Sequence, residues 1–331
     1  MTNLITSDLY ALANKYKGIK EDTDVAVGLR PSGNIHLGNM SVLAFAGIIA
    51  KEIGHGARVN TTICDIDAPD TREWQRCQNG YTAYFKDLPD KQECHPNMLE
   101  HSIDGITRFT AGIEKVLGVR YFVQLLSDIQ RQESFRVALK KVVEAPNFMR
   151  FLIPYTANGK VLVYPICKEC GTSDCQPSIY KKGTLSTKCT NPSCSTEDYD
   201  MKIEDCSRDL SVHWFIDPLR DRVTSPKSRM HVFGGDYREL HGGGNLSKIE
   251  KIIKVMQIAA PEIPDIFVGP PFHTSNGKKM SKTEANGLTM DALEKKLGSH
   301  YEPKIVELME KIAREGHLVV NQDLVEDILF K

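Results

Sequence analysis

Four of the nine cysteines fall in two close pairs, Cys167-x2-Cys170 and, 18 residues on, Cys189-x4-Cys194. Four thiolates so spaced close a tetrahedral Zn2+ site, each pair forming one knuckle, and Gly171, Asn191 and Pro192 supply the turns. A closed four-sulfur shell keeps no open position for a substrate, so this zinc is expected to hold a module together. Cys175 and Cys206 lie close enough in sequence to replace one member of the set. The stretch 71–97, with Cys77, Cys94 and His95, has no clear periodicity. It reads as a loop-rich excursion with scattered thiols and a surface histidine rather than a second metal site.

A second group of residues could handle phosphate. Pro31-Ser32-Gly33-Asn34-Ile35-His36-Leu37-Gly38-Asn39 follows the apolar run 25–29 and precedes an apolar segment, 40–53, that suits a buried helix. A strand, a glycine-bearing turn and a helix N-terminus make an anion site, through free backbone N–H groups and the helix dipole. His36 is placed to bond a phosphate, and Gly38 offers no side chain to obstruct a flat base. More than 240 residues later comes Lys278-Lys279-Met280-Ser281-Lys282-Thr283. Between them, Gly234-Gly235-Asp236 ends an apolar run at 230–233, where a carboxylate could accept bonds from ribose hydroxyls.

These groups need a scaffold. The run 57–65 reads as a second strand, so strand, helix and strand follow within about 40 residues, the pattern of a doubly wound parallel sheet. Its ligands bind at the carboxyl ends of strands, where His36 and the acidic group Asp65, Asp67 and Asp70 fall. Further helices are expected at 6–17 (capped by Thr6 or Ser7), 97–117, 132–144 and 246–259, with strands at 121–126, 230–233 and 265–268. The segment 208–230 holds Trp214, Asp217, Pro218, Arg220, Asp221 and Arg222; its Arg and Asp residues read as a solvated surface network. After Thr283, two or three short helices are expected, with Thr289 and Asp291 opening the first. The division is 1–160 and 208–284 for the two halves of the sheet domain, 161–207 for the zinc insertion, and 285–331 for a helical tail.

Bulk properties narrow the class. Net charge is −1, with 41% hydrophobic and 26% charged residues, so no global basic field draws nucleic acid and any such contact needs a local patch. No apolar run reaches the ~20 residues of a membrane span, and the N-terminus lacks a basic segment followed by an apolar one. Paired cysteines of metal-ligand type fit a reducing compartment, so a cytoplasmic protein is expected.

Taken in order, Pro-Ser-Gly-x-x-His-Leu-Gly-Asn, Gly-x-Asp and Lys-Met-Ser-Lys-Thr resemble class I aminoacyl-tRNA synthetases. His36 to Asn39 is similar to their HIGH motif and Lys279 to Thr283 to KMSKS. The likeness spans roughly 20–290 and is greatest to the catalytic region of class I lysyl-tRNA synthetases, where the first motif, a Cys-His loop like Cys94-His95 and a cysteine-rich insertion recur. It implies a Rossmann-like α/β domain that forms aminoacyl-adenylate from ATP and an amino acid, with Mg2+ across the phosphates. It implies catalytic roles for His36, Asn39, Lys279 and Lys282, the last foremost. ATP would be held by Ser32, Gly38, Gly234, Asp236, Met280 and Ser281, and the amino acid by Arg30, Asp65, Asp67 and Asp217. Cys167, Cys170, Cys189 and Cys194 would hold Zn2+.

Two departures bear on substrate and acceptor. The run Phe215 to Asp221 lacks the tryptophans that the family places around Asp-Trp-Pro, and Arg30 would suit a substrate carboxylate better than an ammonium. The 48 residues after Thr283 cannot build the family's anticodon-binding domain. The acceptor is then expected to be the tRNA acceptor end alone, or another molecule. A catalytically silent RNA-binding module and a nucleotidyltransferase sharing the His-x-Gly-x turn are the competing readings.

Overall fold

The computed structural model describes residues 5–19, 21–67, 84–90, 92–145, 160–161, 163–170, 178–196, 198–204, 210–212, 216–225, 227–239, 246–260, 262–280 and 288–331. In chain order its strands are β1 (Ile5–Thr6), β2 (Thr23–Leu29), β3 (Ala57–Ile63), β4 (Tyr121–Leu125), β5 (Lys160–Val161), β6 (Val163–Pro165), β7 (Ser178–Lys181), β8 (Thr184–Lys188), β9 (Asp198–Lys202), β10 (Leu210–Val212), β11 (Ser228–Phe233), β12 (Asp265–Val268), β13 (Phe272–His273) and β14 (Val320–Asn321). The helices are α1 (Leu9–Tyr16), α2 (Leu37–Ile53), α3 (Met98–Leu117), α4 (Leu126–Gln130), α5 (Glu133–Val143), α6 (Asp217–Thr224), α7 (Lys248–Ala259), α8 (Met290–Leu297), α9 (Tyr301–Glu315) and α10 (Gln322–Phe330). Among the described residues no helix is long and apolar enough to cross a membrane.

Six parallel strands form the central sheet in the order β1-β12-β11-β2-β3-β4. The chain winds outward from β2 to β3 and β4, then returns to β11 on the other side of β2 and continues outward to β12. The crevice above β2 and β11 is therefore the switch point at which doubly wound sheets bind ligands. Both faces are covered, as parallel sheets require. Along β12, Phe267 packs into one core with α1, α2, α3 and the helices after Met290, while Ile266 and Val268 pack into another with α5, α6 and α7.

Helix α2 is buried almost all round, as its apolar sequence demands. It starts three residues before the expected Met40, because His36 caps it. Helix α1 is capped by Asp8, whose carboxylate accepts the Ala11 N–H at 2.9 Å, not by Thr6 or Ser7. Thr6 instead lies in β1, and its Oγ1 accepts the Asp8 N–H. Helix α3 runs as its periodicity demands, from the Asn97 cap to Gly118 in the left-handed region. The tail after Met290 forms three helices, with Thr289 capping the first.

The cysteine-rich insertion is an antiparallel sheet, β5-β7-β8-β9. Val161, Val163, Leu185, Met201 and Ile203 from this region join the core around α5 and α7. Segment 217–222 departs from the surface network expected of it. Arg220, Asp221 and Arg222 are buried, because α6 is wedged against α5, α7 and the sheet. Burial is tolerable where partners exist: the Arg220 guanidinium stacks on Phe135 at 5.1 Å, Thr62 donates to Asp221 at 2.8 Å, and Arg222 reaches Glu262.

Candidate active site and metal clusters

The first phosphate-type turn leaves the carboxyl end of β2. Gly28 is the one exposed residue of that strand. At the turn, His36 folds back over its own helix: Nδ1 accepts the Gly38 N–H at 3.1 Å, and Asn39 Oδ1 accepts the His36 N–H at 3.4 Å. With Nδ1 an acceptor, the ring proton sits on Nε2, which is thereby a donor.

The free backbone amides expected at this helix start are not free. Leu37 N–H donates to Leu288 O, Gly38 N–H to His36 Nδ1, and Asn39 N–H to His36 O. The reason is tertiary: segment 288–290 docks on the turn, with Met290 N–H returning to Ile35 O at 3.0 Å and Thr289 bridging His36. What the helix start still offers an anion is its dipole. Gly38 is needed for the histidine itself, since a Cβ there would lie 2.8 Å from His36 Cε1.

The second turn leaves β11, the neighbouring strand. Gly235 passes so close to the chain that a Cβ would meet Pro271 N at 2.2 Å, which seats this turn against the strand that feeds the lysine loop. Asp236 accepts from Lys248 at 3.1 Å. Glu239, at the end of the same turn, pairs with Lys279 at 3.1 Å and with Lys248 at 3.7 Å. Lys279 bridges His273, and Met280 N–H donates to Phe272 O at 2.7 Å, so both residues are anchored on β13. Beside it, β14 pairs with β13, and Gln322 accepts the Ser275 N–H. The structure therefore brings His36, Asn39, Gly38, Ser32, Gly234, Asp236, Lys279 and Met280 to the crevice side of the sheet. Ser281, Lys282 and Thr283 lie outside the described residues.

Of the residues expected to meet the amino acid, Arg30 follows β2 and stacks on the buried Phe85 ring at 5.0 Å. Asp65 and Asp67 follow β3 and are buried. Asp65 accepts the Ser127 N–H at 2.9 Å and so steadies the start of α4. Asp217 opens α6. Asp70, Cys77, Cys175, Cys206 and Trp214 lie outside the described residues. Glu239 and Lys248 carry no motif in the sequence, and Lys248 follows the Ser247 cap of α7, an inconspicuous setting.

Cys167, Cys170, Cys189 and Cys194 converge, with Sγ atoms within 4.8 Å of one another. Two of the separations, 3.8 Å for Cys167–Cys194 and 3.4 Å for Cys170–Cys189, approach the edge of about 3.8 Å that Zn–S bonds of about 2.3 Å require. Burial, then neighbouring thiols, pushes the Cys189 thiol well above its ordinary range. A cation would discharge such a set, and the four-sulfur shell fits zinc.

A second cluster stands where scattered thiols were expected. Asp90, Cys94, His95 and His101 bring one donor atom each within 4.8 Å. The signal was hard to find because His101 lies on α3, beyond the loop. Asp90 accepts backbone N–H groups of Gln92, Cys94 and His95 at 3.2, 3.1 and 3.0 Å. Burial opposes its ionisation, yet these amides and His101 hold the carboxyl well below the usual range. One carboxylate, one sulfur and two imidazoles suit zinc.

The sequence model of the family described as tRNA synthetases class I (K) matches residues 6–314. The lysine–tRNA ligase of Archaeoglobus fulgidus is 24% identical over 177 residues, 51% of this chain and 34% of that protein. The chain thus spans about a third of the length of this curated relative. Among solved structures, a tyrosyl-tRNA synthetase complexed with L-tyrosine, also from Archaeoglobus fulgidus, is similar over 96% of this chain and 84% of that one. The TM-score is 0.46 and the identity 14%.

Proposed function

The chain belongs to the class I tRNA synthetase (K) family, and we propose that it activates an amino acid with ATP and passes the aminoacyl group to an acceptor, lysine and a tRNA 3′ end being the first pair to try. The supporting observation is the meeting of the His36 turn and the Gly234-Asp236 turn on adjacent strands, with Lys279 tied to the second turn through Glu239.

In this reading an amino-acid carboxylate oxygen attacks the α-phosphorus of ATP. A new O–P bond forms, the bond to the bridging oxygen breaks, and pyrophosphate leaves. Negative charge grows on the phosphoryl oxygens in the transition state, and donors held in place there lower the barrier. His36 Nε2–H is such a donor, fixed in tautomer by the Gly38 amide. Asn39 holds the histidine backbone. Lys279 and Lys282 carry charge suited to the β- and γ-phosphates. Asp236 would accept from ribose once Lys248 is displaced or shared. Mg2+, if it binds with the nucleotide, would supply further positive charge. No protein nucleophile is required; positioning and electrostatics supply the acceleration.

The side chain of the substrate would be read between Arg30 and the Asp65, Asp67 and Asp217 carboxylates. A lysine ammonium needs the carboxylates; an acidic side chain needs Arg30. ATP–pyrophosphate exchange with each of the twenty amino acids tests the reading, with exchange for lysine expected. Silence with all twenty would remove it and favour the RNA-binding alternative. Incorporation of labelled amino acid into acid-precipitable tRNA then separates a tRNA ligase from an enzyme with a smaller acceptor.

A further inference from the structure

We propose that Asn34 is a positioning residue that ties the Asp90–Cys94–His95–His101 cluster to both halves of the site through a polarised hydrogen-bond chain. Asn34 sits inside the first-motif turn. Its Oδ1 is hydrogen-bonded to His101 Nε2, and its Nδ2 donates to Asp291 Oδ2 at 3.1 Å. His101 Nδ1 faces the cluster, 2.8 Å from Asp90 and 3.7 Å from Cys94. Asp291 lies in the first turn of α8, the helix that resumes after the lysine loop and whose start docks on Ile35, His36 and Leu37. The neighbouring Ser102 grips the same turn, accepting Gly33 N–H at 2.9 Å and donating to Gly33 O at 3.1 Å.

The direction of these bonds matters. A histidine that gives Nδ1 to a metal keeps its proton on Nε2 and donates from there. Asn34 must then turn its carbonyl to His101, which leaves its amide N–H pointing at Asp291, a carboxylate that can only accept. Asn34 thus joins the cluster, the first-motif turn and α8 through two hydrogen bonds of fixed direction. Sequence offers no hint of this, since residues 34, 101 and 291 belong to three separate segments.

The test uses the full chain loaded with Co2+, whose absorption reports the mixed sulfur–nitrogen–oxygen site separately from the four-thiolate site. Chelator competition on Asn34→Ala is expected to show about tenfold weaker Co2+ binding at the mixed site, the usual cost of losing an outer-sphere partner. Asn34→Asp keeps an acceptor for His101 and should bind Co2+ as wild type does. A double-mutant cycle of Asn34→Ala and Asp291→Ala, read as thermal midpoints in the metal-loaded chain, should be non-additive. Unchanged Co2+ affinity in Asn34→Ala, or additivity in the loaded chain, overturns the proposal. Its consequence for catalysis rests on the adenylation reading: Asn34→Ala and Asp291→Ala should lower kcat for exchange about tenfold with KM for ATP within twofold. A wild-type chain silent with every amino acid would remove that reading, while the Co2+ and cycle measurements would still decide the relay.

Discussion

The Gly38 amide donates to Nδ1 of His36 at 3.1 Å, and the absent side chain of Gly38 is what lets that imidazole lie where it does. The pair acts as one unit. The amide sets the tautomer, and the missing Cβ gives the ring its room.

Gly38→Ala should therefore resemble His36→Ala in catalysis while leaving the fold intact. A Cβ 2.8 Å from Cε1 pushes the ring out of place, and loss of one transition-state donor costs about 10²- to 10³-fold. Alanine favours helix over glycine by up to about 1 kcal/mol, so global stability should not fall. Exchange kinetics beside thermal melts checks this; a Gly38→Ala enzyme with wild-type kcat would show that the ring has no part in the reaction.

Glu239 pairs with Lys279 at 3.1 Å, and in the adenylation reading it would compete with ATP for that ammonium. The pair is half-exposed on both sides, 41% and 51%, and such pairs hold about 0–1 kcal/mol. Glu239→Ala should lower KM for ATP by up to about fivefold, the equivalent of about 1 kcal/mol. The gap from wild type should shrink at high salt as surface charges are screened. A raised KM would mean that Glu239 helps to seat ATP.

The sheet and its switch point were legible in the sequence because apolar runs ending in glycine-bearing turns are local signals. So were the Cys167–Cys194 knuckles, whose ligands are close in sequence. The occupied amides of α2 were not, since Leu288 is the acceptor that takes Leu37, some 250 residues away. Burial of Arg220, Asp221 and Arg222 was equally hidden, because charge-rich composition favours solvent until a partner such as Thr62 or Phe135 is known. The second metal cluster needed α3 to bring His101 back to a loop.

Metal content should separate the two clusters. We expect about two Zn2+ per chain, falling to about one in Cys170→Ser and to about one in Asp90→Asn, measured by elemental analysis. Loss at the four-cysteine site should loosen the packing of Leu185 and Met201 against α5 and α7, lowering the thermal midpoint. A stoichiometry unchanged in either variant would place the metal elsewhere.

Asp221 predicts a pH dependence of stability with a definite direction. Burial pushes its carboxyl up to about 7, against the opposing pull of Thr62 and Arg220. The unfolded chain releases that proton near pH 3.9. Between those values the native state holds a proton that the unfolded state has lost, so raising the pH favours unfolding. The stabilising effect is complete below about pH 4 and gone above about pH 7, a change of up to about 4 kcal/mol. His231 works the other way: burial, then Arg222, pushes it down to about 3, so acid below about pH 6.5 favours the unfolded state. The two effects overlap in wild type, but Asp221→Asn removes only the first. The stability of wild type minus that of Asp221→Asn, from urea midpoints, should therefore fall steadily from pH 4 to pH 7 and then level off. A flat difference across that range would mean that Asp221 stays ionised in the folded chain, with Arg220 supplying the compensation.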